Sequence, residues 1–479
     1  MIRLEPPHPP LSSAEHYAAD TILDASRLLR TADGADLDVA RLQFDDRPTP
    51  PDVASLRAAN WCIVVSDGVV RLPRSLLSTV AHWLGGAEQR SSSTDRYGRV
   101  PPDDNPLVHE RVEREPVVAH IAAALRSAVA ATAGRRPFRA LAPWPNGKRW
   151  AAAFTHDLDV VSTWPVFTAL RLAELARKTD VRRMLRVAGA AVRSVGGDPV
   201  REAVDDILAT EREASVRSTW FIICGTPTYA TRRAGDITYL PESPAARSII
   251  RAIRDGGHEV GLHGSFETYD HGDRFGAQRQ RLERITETPA RGVRQHYLRM
   301  RPGTTQREMS VAGFRYDSTY GFADRNGFRL GLADVVETFD VQSGQRLDID
   351  EVPFVWMDRA LSKYRGVESP DAWIDDALSL AAICRQTEGL WAGIWHPNLT
   401  PPLGFPDAPA AYRRLVRAIV DENAHIDTLG ALVDWRRARR AARASAIDAR
   451  GQVIVAKTGT PLRLENEKGM ALTDLDSAS

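Results

Sequence analysis

From residue 148 onward the chain alternates short apolar runs with longer stretches of helical spacing. Trp150 to Thr155, Ser218 to Cys224, Glu259 to Leu262, Val293 to Leu298 and Leu390 to Trp395 read as strands. Between them, Pro244 to Asp255, Gln278 to Thr286 and Thr304 to Ala312 read as helices. Strand and helix in alternation predict an α/β fold with a parallel sheet, doubly wound or closed into a barrel. The reactive residues of such sheets gather at the carboxyl ends of the strands.

The flanking sections are patterned differently. Residues 1–147 carry a helical start (Ala14 to Leu29), a β-branched run (Cys62 to Val65, then Val69 to Leu72) and a long Ala-rich helix (Val117 to Ala131). The loop Ala142 to Gly147, with its Pro and Gly, closes this section, and no catalytic motif stands in it. The Arg/Ala/Leu-rich stretch from Trp164 to Thr210 is too long for a simple crossover and reads as an inserted pair of helices that caps or borders the site. After about Asp434 come a helix and two strand-like runs, Gln452 to Ala456 and Pro461 to Leu464, read as a cover over the barrel. The expected division is an N-terminal α/β module at 1–147, a (β/α) barrel at 148–430 with its insertion at about 164–210, and a C-terminal extension at 431–479.

Composition changes this picture little. With 43% hydrophobic and 26% charged residues the chain has the make-up of a soluble globular protein. A net charge of +1 leaves no nucleic-acid footprint, and the basic run Arg436 to Arg443 reads as a solvated helix face. Cys62, Cys224 and Cys384 stand in apolar surroundings without metal-ligand spacing, as buried thiols of a reducing compartment do. The first residues lack a charged segment followed by an apolar one, and no apolar run reaches the length of a membrane span, so a cytoplasmic protein is expected.

Four strand ends carry chemistry. In Thr155-His156-Asp157-Leu158-Asp159 two carboxylates at i and i+2 share one face of a strand, and like charges that close raise a pKa or recruit a cation. One can ligate a metal while its neighbour acts as general base. Gly261-Leu262-His263-Gly264-Ser265-Phe266-Glu267 is a strand ending in a histidine that a metal could take. Arg294, His296 and Tyr297 crowd a third strand end, where an Arg can clamp a carboxylate. His396 ends a fourth strand and is suited to protonating a leaving amine. Trp220, Trp391 and Trp395 lie near these ends and offer flat surfaces to a sugar ring, with core packing as the competing role; Trp220, Trp395 and His296 are taken as substrate contacts.

In this order the blocks resemble the NodB-homology domain of polysaccharide deacetylases, carbohydrate esterase family 4, over roughly Lys148 to Leu429. The resemblance is to a subgroup with "THDxD", "GLHxS" and "RQHYLR" motifs. It implies a distorted (β/α) barrel, a carbohydrate substrate and a divalent cation, zinc in the first place and manganese or iron as alternatives. It also implies Asp157 as base, Asp159 and His263 as ligands, Arg294 orienting the base, the Tyr297 backbone N–H at the oxyanion, and His396 as acid. Asp317 is a weaker match to the fourth motif. Where the family has a second histidine in His-x-x-x-His, this chain has Glu267, with His156, His258 and His271 as other candidates for the third ligand. The same barrel could cleave a formyl group, an ester or a cyclic amide, or bind a glycan without catalysis.

Overall fold

The apolar run beginning at Ala151 continues through both His156 and Asp157 as one strand, β1 (Ala151–Leu158), and every residue of it is buried. That is the pattern of a strand covered on both faces. The computed structural model describes residues 1–35, 37, 39–133, 140–162, 166–177, 179–193, 197–403, 405–447, 453–455, 462–465 and 471–475. Trp164, Gln452, Ala456 and Pro461, which bound segments read from the sequence, lie outside the described residues.

In it β1 is central to a ten-stranded sheet. The other strands are β2 (Thr219–Ile223), β3 (Glu259–Gly264), β4 (Gly292–Gln295), β5 (Tyr316–Asp317), β6 (Val336–Asp340), β7 (Gln345–Glu351), β8 (Trp356–Met357), β9 (Leu390–Ile394) and β10 (His425–Ile426). Their order is β6-β7-β5-β4-β3-β2-β1-β9-β8, with β10 also on β1. Only β6 and β7 pair antiparallel. Helices cover the curled sheet, which makes the expected distorted (β/α) barrel, with no pairing between its end strands β6 and β8 among the described residues. Register sets the site: Asp157 lies opposite Phe221, and His263 opposite both Ile223 and Arg294.

The helix Pro244–Asp255 shows how local sequence builds the cover. Ser243 Oγ caps it by accepting from the Ala246 N–H, and proline fills its first turn. Its buried residues Ala246, Ile249, Ile250 and Ile253 follow the three-four spacing of a single buried face. Among the described residues the stretch after β1 holds three helices where a pair was expected: Val166–Arg177, Val181–Arg193 and Pro199–Glu213. The third sends Val204 and Ile207 into the barrel core and is the crossover helix to β2. The run Val293 to Leu298 is a strand only to Gln295, because Tyr297 and Leu298 turn to φ of 59° and 54°.

The two ends of the chain meet in one seven-stranded sheet. Arg443–Ile447 pairs in parallel with Arg30–Thr31, and Val453–Val455 extends the edge. The strands at Leu462–Glu465 and Ala471–Leu475 form a second small sheet with Ala140–Leu141. So the tail completes the N-terminal sheets, and its Ala444, Val453, Leu462 and Leu464 share one buried cluster with Ala151, Ala153 and Leu390 of the barrel strands. The basic run Arg436 to Arg443 is correspondingly no solvated face. Arg436 and Arg439 are 1% and 3% exposed. Arg436 pairs with Asp334 at 2.6 Å and Asp24 at 3.1 Å, and Arg440 with Asp350 at 2.7 Å, joining barrel strands, N-terminal helix and tail. Buried pairs like these add little net stability, yet removing one partner strands a charge, so they fix how the layers meet. Cys224 and Cys384 are buried and Cys62 half-buried, all as free thiols. Among the described residues no helix is long and apolar enough to cross a membrane.

Candidate metal centre and catalytic site

The carboxyl ends of β1, β3, β4, β8 and β9 open into a cavity of about 680 Å³ lined by Asp157, Asp159, His263, His296, Tyr297 and His396 among others. That volume is within the range of small-molecule sites.

Asp157 is held from below. Arg294, fully buried, donates through Nη1 to Asp157 Oδ1 at 2.8 Å and to Thr155 Oγ1 at 2.9 Å. Its Nε and Nη2 donate to the Ser318 carbonyl at 2.8 Å and Ser318 Oγ at 2.9 Å, over the face of Phe221 at 4.3 Å. The bonds to Ser318 and Thr155 fix the guanidinium, and its one bond to Asp157 holds Oδ1. The other oxygen, Oδ2, faces His263 Nε2 at 3.8 Å and His396 Nε2 at 4.0 Å. Burial pushes the Asp157 pKa up, but Arg294, then His263 and His396, outweigh it and hold the group below its ordinary value.

Asp159, His263 and His296 bring one ligand atom each within 4.8 Å of one another. Asp159 Oδ1 lies 3.3 Å from His263 Nε2 and 3.5 Å from His296 Nε2. It is shut off from solvent and accepts no well-aligned hydrogen bond. The far sides of both rings are engaged: His263 Nδ1 donates to the Arg294 carbonyl at 2.9 Å, and His296 Nδ1 lies 2.5 Å from Asp236 Oδ1. With Nδ1 protonated, each Nε2 has its lone pair toward Asp159, the arrangement that second partners impose on metal-ligating histidines. A buried orphan carboxylate oxygen facing two such nitrogens fits a divalent cation, and a two-His, one-carboxylate set suits zinc, manganese or iron.

His396 is prepared from behind by Asp358, which is fully buried. Its Nδ1 lies 2.6 Å from Asp358 Oδ1, and its backbone N–H donates to Oδ2 at 2.6 Å. Burial lowers the His396 pKa, but Asp358, Asp159 and Asp157 reverse this and leave it above the ordinary value. Asp358 was missed in the sequence, although an acid directly after the apolar run Val352 to Met357 is the same signal that marked Asp157.

The third wall is the turn at Tyr297. Its hydroxyl donates to the Ala234 and Gly235 carbonyls at 2.9 and 3.0 Å, and its ring stacks on His296 at 4.1 Å. A second contribution comes from the N-terminal section: Tyr97 stacks on Tyr297 at 5.1 Å, and Arg99 donates to the Tyr297 carbonyl at 2.9 Å. Arg99, 7% exposed and paired with Asp95 at 2.6 Å, itself lines the cavity. Residues 1–147 had offered no motif, yet they brace this turn.

Other candidates fall elsewhere. Glu267 stands on the turn after β3, 3.8 Å from Arg274, outside the group that could hold a metal, in which His296 joins Asp159 and His263. Gly264 explains the difference: a Cβ there would lie 2.2 Å from Gln295 Oε1. This close approach lets Gln295 lock the turn through the Ser265 carbonyl at 2.8 Å and Thr268 Oγ1 at 2.9 Å. Trp220, Trp391 and Trp395 belong to the core: Trp220 lies against His156, and Trp356 stacks on both others, so Trp220 and Trp395 offer no face to the cavity. His156 and His258 join Glu211 in a separate buried network, and His271 is half-exposed beside Asp270.

Asp317 sits behind the site, next to Glu351 on the paired strands β5 and β7. Burial raises the Asp317 pKa to about 6, and burial together with the charge of Asp317 beside it raises that of Glu351 well above its ordinary value. A buried acid whose folded pKa lies above its unfolded value costs nothing while both states are protonated. The cost grows as pH climbs from the unfolded pKa to the folded one and is constant above it. Asp317→Asn keeps an acceptor for the Thr319 N–H, now 3.0 Å from Oδ1, and gives Glu351 a donor. Relative to the parent it is expected to gain on the order of 1–3 kcal/mol between pH 4 and pH 7, read from denaturant midpoints at the two pH values.

No protein-family model matches the sequence, and no curated protein matches it. Among solved structures, a protein described as a polysaccharide deacetylase from Mycobacterium smegmatis aligns at 21% identity over 62% of this chain and 93% of its own, with a TM-score of 0.43. The Puue allantoinase aligns at 14% identity over 63% and 94%, TM-score 0.43. A protein described as a polysaccharide deacetylase from Pseudomonas aeruginosa PAO1 aligns at 14% identity over 63% and 94%, TM-score 0.42.

Proposed function

We propose that this chain is a metal-dependent hydrolase of the polysaccharide-deacetylase type that removes an N-acyl group, acetyl in the first instance, from an amino sugar or a polysaccharide precursor. The observation that carries this reading is the opposition of two prepared groups: Asp157 Oδ2 and His396 Nε2 lie 4.0 Å apart beside the Asp159, His263 and His296 group. Their electrostatics are matched to the roles. Arg294 favours the ionised form of Asp157, as a base requires, and Asp358 favours the protonated form of His396, as an acid requires.

A divalent cation held by Asp159, His263 and His296 would polarise the acyl carbonyl and lower the pKa of an attacking water. In this scheme Asp157 Oδ2 takes the proton of that water, and Arg294 keeps Oδ1 from turning away. The Tyr297 backbone N–H donates to the carbonyl oxygen as negative charge develops on it, the kind of contact worth about 3 kcal/mol. His396 Nε2 then gives its proton to the departing nitrogen, and Asp358 stabilises the ring in its charged form beforehand. The test is product release. N-acetyl and N-formyl amino sugars, alone and as short oligomers, are incubated with the metal-loaded protein, and acetate and formate are measured. Acetate released at a rate that tracks bound metal supports the reading; a metal-loaded protein that releases neither acid points to a binding barrel.

Because Arg99 braces the turn that carries this N–H, Arg99→Ala is expected to lower kcat about 10- to 100-fold with KM changed far less. Arg99→Lys, which keeps one donor, is expected to recover part of the loss. Steady-state kinetics of the two variants, with metal content measured alongside, separate this bracing from a general loss of structure.

A further inference from the structure

The helix Val181–Arg193 follows the barrel's first helical insert and borders the cavity, with Arg182 and Arg186 in its lining. Its inner side is packed, Val187 being 1% exposed. Its outer side is apolar and open: Val181, Leu185 and Val192 are 63%, 70% and 74% exposed. At intervals of four and seven residues these three form one row along the helix. Arg182 and Arg186, four apart, form a second row beside it. Across the cavity mouth, Tyr229 is 82% exposed on the helix Tyr229–Ala234, just before Gly235 and Thr238 in the lining, and Leu240 is 46% exposed.

Charge is concentrated on the same insert. Between residues 166 and 193 seven Lys or Arg stand against two acids, whereas the whole chain carries only +1. A row of exposed Val and Leu is out of place in water, and a row of arginines beside it is out of place in an apolar protein interface. Two copies of so cationic a face would repel one another. Both rows are accommodated where apolar side chains enter a lipid layer and arginines meet anionic headgroups. We propose that the helices Val166–Arg177 and Val181–Arg193 form a peripheral anchor that seats the cavity mouth on an anionic lipid surface. Substrate would then be met at headgroup level, on an amphiphile or at the face of a membrane.

This docking is independent of which bond the site cleaves, and its test uses no turnover. The full chain is sedimented with phosphatidylcholine vesicles and with vesicles of which about one third is phosphatidylglycerol, at low and high salt. Binding to the anionic vesicles is expected, about tenfold or more above the neutral ones, and it should weaken as salt rises. The double change Leu185→Glu with Val192→Glu should reduce the bound fraction about tenfold or more, with circular dichroism and thermal midpoint kept, because both side chains lie largely in solvent. The milder Leu185→Ser should give an intermediate loss. No binding to anionic vesicles at low salt overturns the proposal, as does binding that the double variant leaves intact. So does a dimer, seen by light scattering without vesicles, that the double variant converts to monomer, since the face would then belong to a second copy.

Discussion

Asp157→Asn is expected to lower turnover by about 10²–10⁴-fold, the range that a positioned general base contributes, with bound metal retained. The substitution is nearly isosteric, and its carbonyl oxygen can still accept from Arg294 Nη1, now 2.8 Å from Oδ1. An amide nitrogen in the place of Oδ2 has no lone pair to take a proton from water. The variant also leaves Arg294 as a fully buried cation without its counter-charge, a loss typically of about 3–5 kcal/mol. The thermal midpoint should therefore fall as activity does, and kinetics belong well below it. A variant that kept its rate within about tenfold of the parent, metal intact, would falsify the role of Asp157.

The barrel was legible because β1, β2, β4 and β9 are buried on both faces and β1, β4 and β9 carry reactive residues at or just after their ends. A run such as Trp150 to Thr155, followed by two acids, needs no partner to be recognised. What the linear pattern does not contain is lateral register. The family resemblance puts Glu267 in the place of the second histidine of His-x-x-x-His, four residues after His263. The chain turns away there, because Ser265 and Thr268 are tied to Gln278 and Gln295. His296 arrives from the neighbouring strand, since His263 pairs across from Arg294 and two further residues bring His296 level with the metal group. Its histidine was visible in Arg294-Gln295-His296-Tyr297, but it read as a substrate contact.

The same blindness explains the tryptophans and the basic run. Trp220 and Trp395 sit near strand ends, but which side of a strand faces the cavity depends on its neighbours. Arg436 to Arg443 looked solvated because the acids that bury it, Asp24, Asp334 and Asp350, lie far off in the chain. Arg99 is more remote still: about two hundred residues separate it from the Tyr297 carbonyl it holds.

His296→Ala is expected to cut affinity for the divalent cation by about 100-fold or more, and Glu267→Ala to leave it unchanged. The contrast follows from where the atoms lie. His296 Nε2 is 3.5 Å from the orphan oxygen of Asp159, with Asp236 fixing the opposite side of the ring. Glu267 is instead 3.8 Å from Arg274 and outside that group. Losing one of three protein ligands removes a bond that the remaining two cannot replace, whereas even an outer partner such as Asp236 typically matters about 10- to 100-fold. Metal content after dialysis and competition with a chelator, measured on both variants beside Asp159→Ala, gives the answer without any assumption about substrate. If Glu267→Ala lost the ion and His296→Ala kept it, the cation would bind on the turn and not between β1, β3 and β4, and Asp157 would no longer stand beside it. The opposite outcome makes His263 at the end of β3 and His296 on the turn after β4 the pair that holds the ion, with His263 Nε2 3.8 Å from Asp157 Oδ2.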